Sequence, residues 1–214
     1  MFSVIQKHAF YYWLFAVFFA AMLVYQYTEP QFEAIYFFSA HRSSVGNFFF
    51  RWVTELGDFV PYLVLMVVFA FMKNRNQVLK IAFVALFTSL LSFVLKSTFL
   101  HDRPGTLLEH YHLLNTINWV PAYQVLKGHF SFPSGHSMSA FALWTTMACY
   151  FNRHKVWQIV CFFIAVFICI SRMYLGAHFP QDVLVGAVVG ITIATFVEYF
   201  VERNLFFLGS DEGN

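Results

Sequence analysis

Long apolar runs separated by short polar breaks organise this chain. Residues 9–27, AFYYWLFAVFFAAMLVYQY, carry no Asp, Glu, Lys or Arg, and about 20 apolar residues suffice to cross a bilayer as a helix. No small-residue cleavage pattern follows this run, so it reads as a retained membrane helix and not a signal peptide. Further spans are expected at 59–72, 81–100, 135–151, 156–172 and 183–201, with 59–72 the shortest in apolar core. Residues 31–57 mix apolar clusters with charges, as segments lying in the membrane interface do. KNRNQVLK (73–80) and NRHK (152–155) read as turns, 101–133 as a polar stretch and 202–214 as a polar tail. No internal repeat interrupts this order. The expected fold is all-α: one domain over 1–214, a six-transmembrane helical bundle with short interfacial helices after the first span.

Composition agrees with a lipid environment. The 214 residues are 59% hydrophobic and 11% charged, against roughly a quarter charged in soluble domains. Thirty Phe and eleven Tyr suit lipid contact and interfacial anchoring. A net charge of +2 gives no footing for nucleic acid. The three cysteines, Cys149, Cys161 and Cys169, lie in apolar runs without CxxC spacing, so neither a disulfide framework nor a metal site is read from them. Lys73, Arg75, Lys80, Arg153 and Lys155 fall in short turns on one side, with Lys7 and Arg203. The positive-inside rule then puts both termini in the cytoplasm and places 101–133 and 173–182 outside.

On that outer face the unusual polar residues gather: Lys96 and Arg103 after the third span, PSGH at 133–136, Ser171 and Arg172, then His178 and Asp182. Ionisable groups at membrane depth are costly and point to function. Each also has a plainer reading. Lys96 is placed to snorkel, Arg172 suits a helix C-terminus, and Asp182 suits a helix N-terminus. Ser134 after Pro133 fits an N-cap, and the same helix start with Gly135 offers backbone N–H groups to an anion. His136 separates the two, because a cap needs no imidazole whereas phosphoryl transfer needs a proton donor. His178 four residues before Asp182 matches a base and the carboxylate that orients it. His110 and His112 form a possible metal pair with Asp102 and Glu109 nearby, short of the well-spaced ligands a zinc site uses.

KSTFLHDRP (96–104), PSGH and SRMYLGAHFPQD (171–182) resemble the three signature motifs of the type 2 phosphatidic acid phosphatase superfamily: K-x6-RP, PSGH and SR-x5-H-x3-D. Every specified position is present, in order. The resemblance implies the family's all-helical PAP2-type core and metal-independent hydrolysis of a phosphomonoester or diphosphate, with no cofactor. It implies His178 as nucleophile, Asp182 as its orienting partner and His136 as proton donor. Lys96, Arg103 and Arg172 would hold the phosphoryl oxygens together with Ser134, the Gly135 N–H and, with the least defined role, Ser171. The substrates so implied are phosphatidic acid, phosphatidylglycerol phosphate, undecaprenyl diphosphate or lipid A phosphate. The compact chain suggests a bacterial inner-membrane protein with its site facing outward, and loop 105–132, with Trp119, Tyr123 and Lys127, is expected to select among substrates. The alternative is a non-enzymatic transporter or lipid-binding relative, which the complete motifs argue against.

Overall fold

The computed structural model describes residues 1–121 and 123–208; the polar tail from 209 onward lies outside the described residues. The described residues form ten α-helices and no strand: α1 (Phe2–Lys7), α2 (Ala9–Thr28), α3 (Glu33–Ala40), α4 (Ser44–Val53), α5 (Phe59–Phe71), α6 (Arg75–Phe99), α7 (Pro104–His110), α8 (Gly135–Tyr150), α9 (Lys155–Tyr174) and α10 (Pro180–Leu208). Apolar side chains cover the outside. Trp13 and Val24 on α2, Val64 on α5, Phe93 on α6, Val156 on α9 and Phe200 on α10 are all half-exposed or more. Water would oppose so much contiguous apolar surface, whereas lipid tails accept it. This is an integral membrane protein.

The interior belongs to α8. It packs chiefly on α10 and α9, with α6 on a third side, and most of its residues from Ser137 to Cys149 are buried. The α8–α10 seam is set by two glycines one helical turn apart. A Cβ on Gly186 would lie 2.5 Å from the Ser134 carbonyl oxygen, and one on Gly190 would lie 2.2 Å from that of Met138. Small residues at this spacing let two membrane helices bring their backbones together. At the far end of the bundle, Lys80 on α6 and Glu198 on α10 pair at 2.6 Å with little exposure. Lys7 and Glu202 pair nearby at 2.5 Å.

The apolar segments read from the sequence all fold as helices, with shifted boundaries. Helices α2, α6, α9 and α10 are long and apolar enough to cross a membrane, and a fifth crossing follows if α4 with the 3₁₀ turn Thr54–Gly57 and α5, bent by 58°, count as one. The segment expected at 59–72 begins where the sequence places it, with the Asp58 side chain capping α5 by accepting the Phe59 N–H at 2.8 Å, and its helix ends at Phe71 after 13 residues. Helix α8 has 16 residues, about 24 Å long against the roughly 30 Å of a bilayer core. The turn read at 73–80 is a turn only at its start. Asn74 accepts the Gln77 N–H at 3.1 Å and starts α6 there, so Lys80 sits inside the helix and reaches Glu198.

The polar stretch 101–133 is more ordered than its composition suggests. Pro104 opens α7, Thr106 and Gly128 exchange hydrogen bonds, and Leu108 and Ile117 bury themselves with Ile35 and Phe179. Residues 31–57 form α3, α4 and the 3₁₀ turn. Helix α4 directs Val45, Phe48 and Trp52 outward while Asn47 accepts the Tyr174 hydroxyl at 2.7 Å.

Gly190→Ala should strain the seam against a backbone that cannot yield, lowering stability by about 1–3 kcal/mol, the usual cost of overpacking. Phe200→Ala on the lipid face serves as comparison. Thermal unfolding in detergent checks this, and equal melting temperatures for the two variants would contradict the seam's role.

Candidate active site

Four helix ends converge at one end of the seam. Pro133 and Ser134 precede α8, and Ser134 is its N-cap: its buried hydroxyl oxygen accepts the Ser137 N–H at 3.4 Å and the Ser137 hydroxyl at 2.9 Å. The Ser134 N–H donates to the Asp182 carbonyl at 2.9 Å, which ties the start of α8 to the first turn of α10. Helix N-termini leave their leading N–H groups without intrahelical acceptors, and those of Gly135 and His136 stand here. Lys96, one turn from the end of α6, brings its ammonium to this point. A Cβ on Gly135 would lie 3.4 Å from Lys96 Nζ and 3.2 Å from Ser92 Oγ, so any larger residue would crowd the cation.

Two arginines complete the positive wall. Arg172, in the last turn of α9, is buried; one guanidinium nitrogen donates to Thr54 Oγ1 at 2.6 Å, and its Nε has no partner among the described residues. Arg103, just before α7, donates to the carbonyls of Ala177 and Phe130, both at 3.2 Å. Burial and the nearby Arg172 charge hold Arg103 below the usual guanidinium range. Lys96 lies within the field of both arginines and of Asp182. Three cations therefore face a single carboxylate, and that carboxylate is turned toward a histidine.

His178 lies in the loop between α9 and α10, almost fully buried. Its Nδ1 is 3.5 Å from Asp182 Oδ2, too long for a full hydrogen bond. Ser131 links the two. Its hydroxyl donates to Asp182 Oδ2 at 2.5 Å and lies 3.4 Å from His178 Nδ1. The Phe179 N–H also donates to Oδ2, at 3.0 Å. Desolvation pushes the His178 imidazole down to about 4; Asp182 opposes this and the Arg172 charge adds to it. At neutral pH the ring is uncharged, with Nδ1 toward the carboxylate side and Nε2 left to act. His136, half-buried at the start of α8, lies within the field of the three cations and His178. A neutral nucleophilic imidazole, a second imidazole and fixed positive charge can bind a tetrahedral oxyanion and move protons around it.

Of the residues singled out from the sequence, Lys96, Arg103, Ser134, Gly135, His136, Arg172, His178 and Asp182 come together. Ser171 differs. It is buried, and its hydroxyl donates back to the Ile168 carbonyl at 2.6 Å, so its proton is committed to its own helix. Trp119 packs on Gly176, which adopts a left-handed φ of 67°, and a Cβ there would lie 2.6 Å from the indole; the indole thus supports the His178 turn from outside. Lys127 pairs with Glu109 at 2.7 Å, and His129 pairs with Asp102. Sequence reasoning missed Ser131 and Thr54. Ser131 stands two residues before Pro133, a hydroxyl flanked by Phe130 and Phe132, which is a signal; Thr54 offered none.

Comparison with known proteins supplies the family. The family model for the PAP2 superfamily matches residues 77–206. The chain belongs to the PAP2 superfamily. It is 39% identical over 87 residues to phosphatidylglycerophosphatase B of Bacillus subtilis, covering 37% of this chain and 43% of that one. It is 33% identical over 111 residues to a lipid A 1-phosphatase of Rhizobium johnstonii, covering 50% and 41%. The matches thus span about two fifths of each curated relative. The crystal structure of a transmembrane PAP2 type phosphatidylglycerolphosphate phosphatase from Bacillus subtilis superposes with a TM-score of 0.67 at 26% identity, covering 95% of this chain and 98% of that one. The PAP2 fold is shown over nearly the whole chain.

The burial of His178 makes a titration prediction. Its imidazole should titrate near about 4 instead of the ordinary 6.5, as read by histidine NMR in micelles. Asp182→Asn should lower the midpoint further, since the carboxylate favours the protonated ring. Between 6.5 and about 4 the unfolded chain takes a proton that the folded one refuses, so stability should fall as pH drops through that window. A midpoint near 6.5 would contradict the buried neutral ring.

Proposed function

We propose that this PAP2 protein is a lipid phosphatase that hydrolyses the phosphomonoester or diphosphate of an amphiphile through a phosphohistidine. The observation that carries the reading is the buried, neutral His178, backed by Ser131 and Asp182 and set beside three cations at a helix N-terminus. Phosphoryl transfer asks mainly for positioning and for compensation of spread negative charge, and Lys96, Arg103, Arg172 and the α8 start supply both without a cofactor.

His178 Nε2 attacks phosphorus, and the bond from phosphorus to the leaving oxygen breaks. His136 gives that oxygen its proton, then takes one from the water that attacks the phosphohistidine and frees inorganic phosphate. Asp182 orients His178, and Ser134 and the Gly135 N–H join the cations around the phosphoryl oxygens. Ser171 contributes by stiffening the end of α9 behind Arg172.

In this reading the chain acts as one domain over 1–214 and crosses a bacterial inner membrane six times. Helices α5 and α8 serve as crossings that start below the outer surface, so the site is recessed toward the headgroups. The positive turns stay in the cytoplasm and the site faces outward. A phosphate at headgroup depth fits the lipid substrates of the relatives, among them phosphatidylglycerol phosphate and lipid A phosphate, and equally phosphatidic acid or undecaprenyl diphosphate; nucleic acid has no place here.

Purified protein in detergent should release phosphate from such lipids, with activity retained in EDTA and inhibited by vanadate. His178→Ala should lower kcat by at least about a thousandfold, as loss of a nucleophile does, in a protein that still folds and shows a cooperative melting transition. Full turnover by that variant would sink the assignment.

A further inference from the structure

A cavity of about 190 Å³ opens beside His136, between α5, α6 and α8. It is smaller than the roughly 300–1,000 Å³ of a site that engulfs a whole small molecule, so it has room for only part of a substrate. His136 lies on its wall, and His136 is the group assigned to the leaving oxygen. What occupies the cavity is therefore the part of the substrate just beyond the bond that breaks.

The lining is chemically one-sided. Asp58, Tyr62, Thr88, Ser89, Ser92, His136 and Ser139 supply its polar groups, with no Lys or Arg among the lining residues. Ser89, Ser92 and Lys96 follow one face of α6 at helical spacing, so hydroxyls lead from the phosphate cation straight into the cavity. One turn further along α6, Ser97 and Thr98 turn their hydroxyls back onto the Phe93 and Val94 carbonyls, at 2.9 and 2.8 Å. Thr88 does not: its Oγ1 is buried in this wall beside the Tyr62 hydroxyl, without a partner at standard hydrogen-bond geometry among the described residues, and the residue is only 6% exposed. A buried hydroxyl without a well-formed hydrogen bond is unfavourable, and a ligand hydroxyl would satisfy it.

We infer that this cavity receives a hydroxyl-bearing leaving group, a glycerol or sugar headgroup, and that the enzyme prefers a phosphomonoester on such a headgroup over a lipid diphosphate. The inference rests on the lipid-phosphatase reading above. With a monoester, the bond between phosphorus and the headgroup oxygen breaks as His178 bonds to phosphorus, and the His136 proton yields a neutral alcohol among hydroxyls. With a diphosphate, the departing group is itself an anionic phosphate, placed among hydroxyls and near the exposed Asp58 carboxylate, while Lys96, the cation beside Gly135, is engaged by the transferred phosphoryl group. Like charge facing a departing anion is one means of rejection.

The test compares phosphatidylglycerol phosphate with undecaprenyl diphosphate at equal mole fraction in micelles, using the full chain. The monoester should be favoured by tenfold or more in kcat/KM. Ser92→Ala and Thr88→Val should each lower that ratio about three- to tenfold, the worth of one hydrogen bond of about 0.5–1.5 kcal/mol. Asp58→Asn, which keeps a capping side chain for α5, should raise diphosphate turnover several-fold. A preference for the diphosphate, or a ratio that none of the three variants moves, overturns the inference while the lipid-phosphatase reading stands. Release from neither lipid overturns both.

Discussion

The close approach of α8 and α10 is the constraint on which the site depends. Gly186 and Gly190 bring one helix backbone against the carbonyls of Ser134 and Met138. The consequence appears at the top of the seam, where the Ser134 N–H reaches the Asp182 carbonyl. That bond holds the start of α8, with its free N–H groups and His136, beside the turn carrying His178 and Asp182. A wider seam would part the phosphate cradle from the imidazole by the width of a side chain. Positioning errors of about 1 Å already cost roughly a hundredfold in rate.

Electrostatics pulls against this packing. Lys96, Arg103 and Arg172 sit within range of one another, with Asp182 as the carboxylate that acts on Lys96 and Arg103, and Arg172 is nearly inaccessible, its Nε without a partner among the described residues. Such a cluster is unfavourable when empty and favourable around a phosphate. The surrounding structure holds it in place: Thr54 anchors Arg172, the Ala177 and Phe130 carbonyls anchor Arg103, and α6 delivers Lys96. Preorganised charge of this kind is the largest contribution that many enzymes make to their reactions. It also follows that a bound phosphate should stabilise the fold.

Much of this was legible in the chain before any coordinates. Apolar runs located the helices because lipid contact leaves little choice of residue, and the spaced motifs named eight of the residues that converge. What escaped depends on partners distant in sequence. Lys80 looked like part of a turn because hydropathy sees its charge and not Glu198 across the bundle. Gly186 and Gly190 carry no signal of their own in an apolar helix; their role comes from the α8 backbone packed against them. Ser131 and Thr54 are single hydroxyls whose importance lies in what they touch, Asp182 and Arg172. Ser171 shows the converse, since it matches a motif while its hydroxyl serves its own helix.

The central claim is that His178 carries the phosphoryl group between the two halves of the reaction. The direct measurement mixes the protein with an activated phosphomonoester, quenches in alkali within the first turnover and maps the phosphorylated peptide by mass spectrometry. The account predicts one phosphoryl group, on the peptide containing His178 and on that imidazole. Phosphate on His136, on a serine or on any other side chain would contradict it.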